Sequence, residues 1–296
     1  MWNILTKQFY RQRKDFEDSC VGRDAGLTFP EGVICSTDIA YADDGIKAHM
    51  LDIYRPEDSQ EKILPVIINV HGGGLIIGNK EFNRYFCALL CKKGFLVYSI
   101  EYRLIPDCLM YDQISDVFMA MDYIKERLEA DGGDSSHVYM AGDSGGACLI
   151  TYANAIQNST NIARAANVTP SGLRINALGL ISGMFYTSRF DKIGLFLPKY
   201  LYGRDYKKTS FAKYVNPENR ELLNSLAPVW LVTSHNDFLR RYTTDFEKAL
   251  TRAEREHELV AFPKNKKLTH AFSVFEPFLP ESSAVIDMMV EYLRKF

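Results

Sequence analysis

The chain has 296 residues, 47% hydrophobic and 24% charged, which suits a folded globular protein with one large α/β domain plus an insertion, or two small domains. Its formal net charge of -2 lacks the basic footprint of a nucleic-acid binder, and no apolar run reaches the length of a membrane span, so the expectation is a soluble, cytoplasmic protein. With no secretory leader recognised, the six cysteines are expected to be reduced.

Residues 1–24 place Lys7, Arg11, Arg13 and Lys14 among apolar positions and predict a short amphipathic helix lying on the domain. Two β-rich segments follow, Val33 to Tyr41 and His49 to Tyr54, joined by a turn at Asp43-Asp44-Gly45. Ile63 to Val70 is an apolar run of buried-strand length, and His71-Gly72-Gly73-Gly74 comes directly after it. Three successive glycines let the main chain pass close to a carbonyl and aim N–H groups at it, which makes Gly73 and Gly74 candidates for an oxyanion hole. Lys80 to Lys93 predicts a helix closed by Gly94. Cys87 and Cys91, four apart on it, read as buried thiols, since a metal site would need further ligands nearby. Phe95 to Tyr102 predicts the next strand, and Asp112 to Ala130 a helix of near-3.6 period.

His137 to Ala141 predicts a strand and Gly145 to Gln157 a helix, with Gly142-Asp143-Ser144-Gly145-Gly146 between them. This G-x-S-x-G at a strand–turn–helix junction is the setting of a nucleophile elbow, in which Ser144 stands above the strand end. The Gly145 amide then lies at a helix N-terminus, a third oxyanion donor. The same pentapeptide occurs in all-β serine proteases. Those place their histidine before the serine and continue into an extended segment, unlike this chain.

Ile175 to Ile181 and Val229 to Thr233 predict two more strands. The residues between them lack a clear strand and are rich in aromatics, namely Phe185, Tyr186, Phe190, Phe196, Tyr200, Tyr202 and Tyr206. So long a connection in a compact domain reads as a lid or binding element. Asp237 follows in the loop Ser234-His235-Asn236-Asp237, at a strand's C-terminal end, where a triad acid belongs. A charged helix is expected from about Tyr242 to Glu258, a strand from Leu259 to Phe262 and a final helix from Ser283 to Lys295. Asp245 and Glu247 fall on that charged helix as solvated groups. Of the histidines after Ser144, His235 precedes the acid and His257 falls in the charged run, which leaves His270 in its loop as the general base. Continuous apolar strands alternating with helices predict a mostly parallel sheet covered by helices on both faces.

With these residues the chain resembles the hormone-sensitive-lipase-like family of α/β-hydrolases over nearly its whole length. The segments that carry the resemblance are His71-Gly72-Gly73-Gly74, Glu101-Tyr102-Arg103-Leu104-Ile105-Pro106-Asp107, Gly142-Asp143-Ser144-Gly145-Gly146, Asp237-Phe238-Leu239-Arg240 and His270-Ala271-Phe272. Departures from the family pattern are Gly145 for Ala, Ala271 for Gly, and Ile105 and Asp107 for Ala and Glu. The resemblance implies an α/β-hydrolase fold with a mainly helical cap. The catalytic domain would take residues 31–183 and 228–296, and the cap residues 1–30 and 184–227. It also implies esterase activity on short acyl esters without cofactor or metal.

Ser144, Asp237 and His270 are thus the expected triad, and Gly73, Gly74 and Gly145 the expected oxyanion hole. Phe185, Tyr186, Phe196 and Tyr200 are expected to bind substrate. The expected partner is a small-molecule ester. The bulk of the cap aromatics, and the lack of an exposed apolar run around a mouth, favour acyl chains of roughly two to six carbons. The same triad would serve a deacetylase of acetylated sugars or an arylformamidase-like amidase, and the fold also serves non-catalytic small-molecule receptors. Oligomeric state stays open, a homodimer included.

Overall fold

A computed structural model describes residues 2–59 and 62–296. Its centre is an eight-stranded sheet in the order β1-β2-β4-β3-β5-β6-β7-β8. The strands are β1 (Val33–Ala40), β2 (Met50–Pro56), β3 (Leu64–Val70), β4 (Leu96–Ile100), β5 (Gly133–Asp143), β6 (Ala177–Ile181), β7 (Val229–Ser234) and β8 (His257–Phe262). The hairpin β1–β2 is antiparallel and joins β4 antiparallel; every pairing from β4 to β8 is parallel.

Burial explains the strand sequences. β6 and β7 are buried at every position, so both of their faces must be apolar. In β3 the faces separate: Val66, Ile68 and Val70 join one core cluster, and Ile67 joins the other. The first cluster lies under helices α3 (Met110–Arg127), α4 (Ser144–Asn158) and α9 (Arg240–Arg252), the second under α2 (Arg84–Lys92) and α11 (Pro280–Leu293). Cys87 and Cys91 are buried in the second, and burial pushes the Cys91 thiol up to about 12.

The remaining helices are α1 (Trp2–Asp24), α5 (Thr160–Ala166), α6 (Lys192–Phe196), α7 (Pro198–Tyr202), α8 (Arg220–Asn224) and α10 (Phe272–Phe275). The aromatic-rich connection between β6 and β7 therefore consists of short helices and turns. No helix among the described residues is long and apolar enough to cross a membrane.

Two expectations are corrected. The charged helix ends at Arg252, not Glu258, because Glu254 takes a left-handed φ of 53° and the Arg255 amide returns to Leu250 O. His257 then pairs with Val229 as the first residue of β8, an edge strand whose partly exposed face makes its charges look helical in sequence. Helix α5 was not anticipated, although Ser159 caps it and Asn167 closes it in the left-handed conformation.

Candidate active site

The parallel strands end on one edge, and the chemically interesting residues collect there. β5 runs into α4 through Ser144, whose φ of 49° lies in the left-handed region. The flanking glycines are obligatory for packing, because a Cβ on Gly146 would stand 2.1 Å from Val70 O and one on Gly142 2.6 Å from it. The elbow is thus pressed against the end of β3, and Ser144 is buried except for its face toward a cavity.

Asp237 lies just after β7 and His270 in the loop between β8 and α10. His270 Nε2 is 2.9 Å from Ser144 Oγ, and His270 Nδ1 is 2.7 Å from Asp237 Oδ1. Asp237 also accepts from the Leu239 amide at 2.8 Å and from Thr233 Oγ1 at 3.0 Å. Burial alone would raise its carboxyl, but the hydrogen bond and charge of His270 outweigh it and hold the group below the usual carboxylate range. Nδ1 faces a carboxylate and therefore donates, which leaves the Nε2 lone pair toward Ser144. His235 is exposed beside Arg240, and His257 sits against Thr251, so neither belongs to this line.

The glycine loop after β3 is tied down from below. The Gly72 amide donates to Asp143 Oδ1 at 3.0 Å, and Asn83 Nδ2 donates to the same oxygen. His71 is fully buried and stacks on Tyr102 with ring centroids 4.3 Å apart. Its Nε2 meets Glu101 Oε1 at 2.8 Å and its Nδ1 meets Gly72 O at 2.8 Å. Burial disfavours the charged ring, yet Glu101 and the Gly72 carbonyl more than compensate and raise its pKa above the ordinary value. With acceptors on both nitrogens, the ring can satisfy both contacts only as imidazolium. The amides of Gly73 and Gly74 meet no acceptor among the described residues. A Cβ on Gly145 would fall 2.8 Å from Leu75 N and 2.9 Å from Gly74 N, so the start of α4 lies against the glycine loop.

Above Ser144 opens a cavity of about 540 Å³. Its walls come from α1 (Phe9 and Phe16), the glycine loop (Ile76 and Ile77), α6 (Ile193 and Phe196), and Phe238 and Phe275. Among the expected substrate-binding aromatics, only Phe196 lines it. Phe185 is instead stacked on Phe246 at 4.2 Å in the core. Tyr186 is buried with its hydroxyl on Glu218, and Tyr200 is buried edge-on to Phe9. These three face other elements because the connection folds into short helices that need a core of their own.

Sequence reading also missed the α1 wall, Lys192 and the Asp143 tie. The spacing of Phe9, Arg13 and Phe16 was the available signal for the first. Two exposed apolar side chains stand at the cavity mouth. Phe196 is 60% exposed and Phe238 73%, the latter with its ring 4.3 Å from His270. They come from separate segments, so no run in the sequence announces them.

A family model described as the alpha/beta hydrolase fold matches residues 67–273. The probable isoprenylcysteine alpha-carbonyl methylesterase ICME of Oryza sativa subsp. japonica is 29% identical over 184 residues, 58% of this chain and 44% of that protein. Esterase LipC of Mycobacterium tuberculosis is 31% identical over 121 residues, 40% of this chain and 30% of that protein. The chain thus spans less than half the length of these curated relatives. Esterase B from Lactobacillus rhamnosis (HN001), a solved structure, superposes with a TM-score of 0.92 at 22% identity, covering 99% of this chain and 95% of that one. The same enzyme has been solved inhibited by a C4-C4 tributyrin phosphonate, with the same TM-score, identity and coverage. With the family model spanning more than two thirds of its length, the chain belongs to the hormone-sensitive-lipase-like family of α/β-hydrolases.

Proposed function

We propose that this chain is a serine carboxylesterase that hydrolyses short-chain acyl esters through an acyl-enzyme. The observation that carries the reading is the unbroken line from Ser144 Oγ through His270 to Asp237, opening on an apolar cavity. Ser144 Oγ bonds to the ester carbonyl carbon while its proton passes to His270 Nε2. The carbonyl electron pair moves onto oxygen, where the amides of Gly73, Gly74 and Gly145 stabilise it. Collapse breaks the C–O bond to the alcohol, and His270 returns the proton to the leaving alkoxide. A water then attacks the acyl-Ser144, His270 takes its proton, and the carboxylic acid departs as Ser144 recovers its hydrogen. Residues 1–30 and 184–227 act as a cap that supplies most of the apolar walls.

The cavity chemistry separates the substrate classes. An acetylated sugar needs partners for its hydroxyls, and beyond Asp143, Ser144 and His270 only Lys192 is polar among the described lining side chains. An acyl chain instead gains about 0.8 kcal/mol for each methylene that enters. That gain ends where the cavity of about 540 Å³ is filled. The short-chain inhibitor borne by the structurally similar esterase B accords with a limit of this kind. Measuring kcat/KM for p-nitrophenyl acetate, butyrate, octanoate and palmitate tests the proposal. A maximum at acetate or butyrate is expected; a maximum at octanoate or beyond overturns the chain-length reading, and no turnover of any ester overturns the esterase reading.

A further inference from the structure

The loop before α6 and α6 itself form a ridge with an unusual surface. No residue of α6 is buried, although three of its five residues are apolar. Phe190 is 92% exposed and Leu195 56%, on the side of the ridge away from the cavity. A soluble surface gains nothing by holding a phenylalanine and a leucine in water side by side, so a cover for them is implied. The groove they line continues over Lys199, Lys207 and Lys208. Between residues 189 and 208 there are six Lys and Arg side chains against two Asp, in a chain of net charge -2. On the other side of the same ridge, Lys192 and Phe196 line the cavity above Ser144.

We propose that this ridge is a peripheral docking surface for an anionic lipid interface. Phe190 and Leu195 enter the headgroup boundary, and the surrounding lysines meet the negative surface. Charge complementarity selects this occupant: the net positive field of the ridge is attracted by anionic headgroups, while exposed rings and aliphatic side chains insert between them. Docked in this way, the ridge lies between the membrane surface and the cavity, whose wall it forms on its other side through Lys192 and Phe196. The surface stands independently of the esterase reading, because flotation reads binding and not hydrolysis.

Flotation of the full chain with phosphatidylcholine vesicles, with and without one third phosphatidylglycerol, provides the test. Expected is co-flotation with the mixed vesicles at low salt, weaker with pure phosphatidylcholine and weakened by added salt. The double variant Phe190→Ser with Leu195→Ser is expected to bind at least about tenfold more weakly, with unchanged hydrolysis of p-nitrophenyl acetate and unchanged thermal stability. Lys199→Glu with Lys207→Glu should remove the preference for anionic vesicles, about fivefold per charge lost. No wild-type co-flotation at low salt, or equal binding by the apolar double variant, overturns the proposal. So does a wild-type dimer that the same variant converts to monomer without any vesicle binding, which assigns the ridge to a second copy of the chain.

Discussion

Ser144 occupies a backbone conformation that costs an L-residue about 1 kcal/mol or more, and the flanking glycines let β5, α4 and the end of β3 hold it there. In the proposed mechanism, Ser144→Ala removes the acyl-enzyme and should lower kcat on p-nitrophenyl acetate by roughly 10⁶-fold, with an unchanged melting temperature. Adding His270→Ala and Asp237→Ala should lower it little further, since the three act as a unit. Substantial residual turnover in the single variant would remove Ser144 from its role. The protonation states add a second expectation. Asp237 is held below the usual carboxylate range, so it stays ionised opposite His270 at neutral pH. His235→Ala and His257→Ala should retain most of the rate while His270→Ala loses it; equal loss in all three would point to another base.

At the scale of elements, α1 matters more than its plain composition suggests. Phe9, Arg13, Phe16, Cys20 and Arg23 recur at helical spacing and are among the positions turned inward. Arg13 is the clamp of this face. Its Nε donates to Ile76 O at 2.8 Å, its Nη1 to Asp107 at 2.7 Å, and its Nη2 to Leu104 O and Ile105 O at 3.0 and 2.6 Å. One guanidinium thereby joins α1 to the loop that follows the glycine motif and to the segment 104–107. Arg13→Ala leaves three part-buried carbonyls and Asp107 without this partner and frees the helix that carries Phe9 and Phe16. The expected result is a smaller preference for butyrate over acetate, because the acyl wall no longer stays in contact with the chain. Two methylenes are worth about 1.6 kcal/mol when fully buried, so the ratio of kcat/KM values can fall by up to about 15-fold. A ratio that stays at the wild-type value would show that α1 is not part of the acyl wall.

For the whole molecule, the carboxylates of the site tie stability to pH with opposite signs. The folded value of Asp237 lies below its unfolded value, so its contribution is complete above the unfolded value and is lost as pH falls through the folded one. Asp143 is fully buried, and its raised value favours the protonated form, so acid relieves rather than aggravates its burial. Melting temperature followed from neutral to acid should therefore fall less steeply in Asp237→Asn than in wild type, and more steeply in Asp143→Asn. Parallel curves for all three proteins would mean that neither group couples folding to pH.

Local sequence carries the information wherever the determinant is local. G-x-S-x-G at a strand–helix junction, three glycines after an apolar strand, and apolar runs buried on both faces made the fold, the elbow and the glycine loop legible. His270 and Asp237 followed from chain order and strand ends, because in a parallel sheet every C-terminal strand end opens on one edge. Only the tertiary structure decided which aromatics reach the cavity. Phe185, Tyr186 and Tyr200 are as aromatic as Phe196, yet they pack on Phe246, Glu218 and Phe9, and a side chain's direction depends on neighbours far away in sequence. The same holds for the contacts of Arg13, more than sixty residues from its nearest acceptor, and for a rim assembled from Phe196 and Phe238. A motif is written in consecutive residues, whereas a cavity is made by surfaces that meet only when the sheet has brought distant segments together.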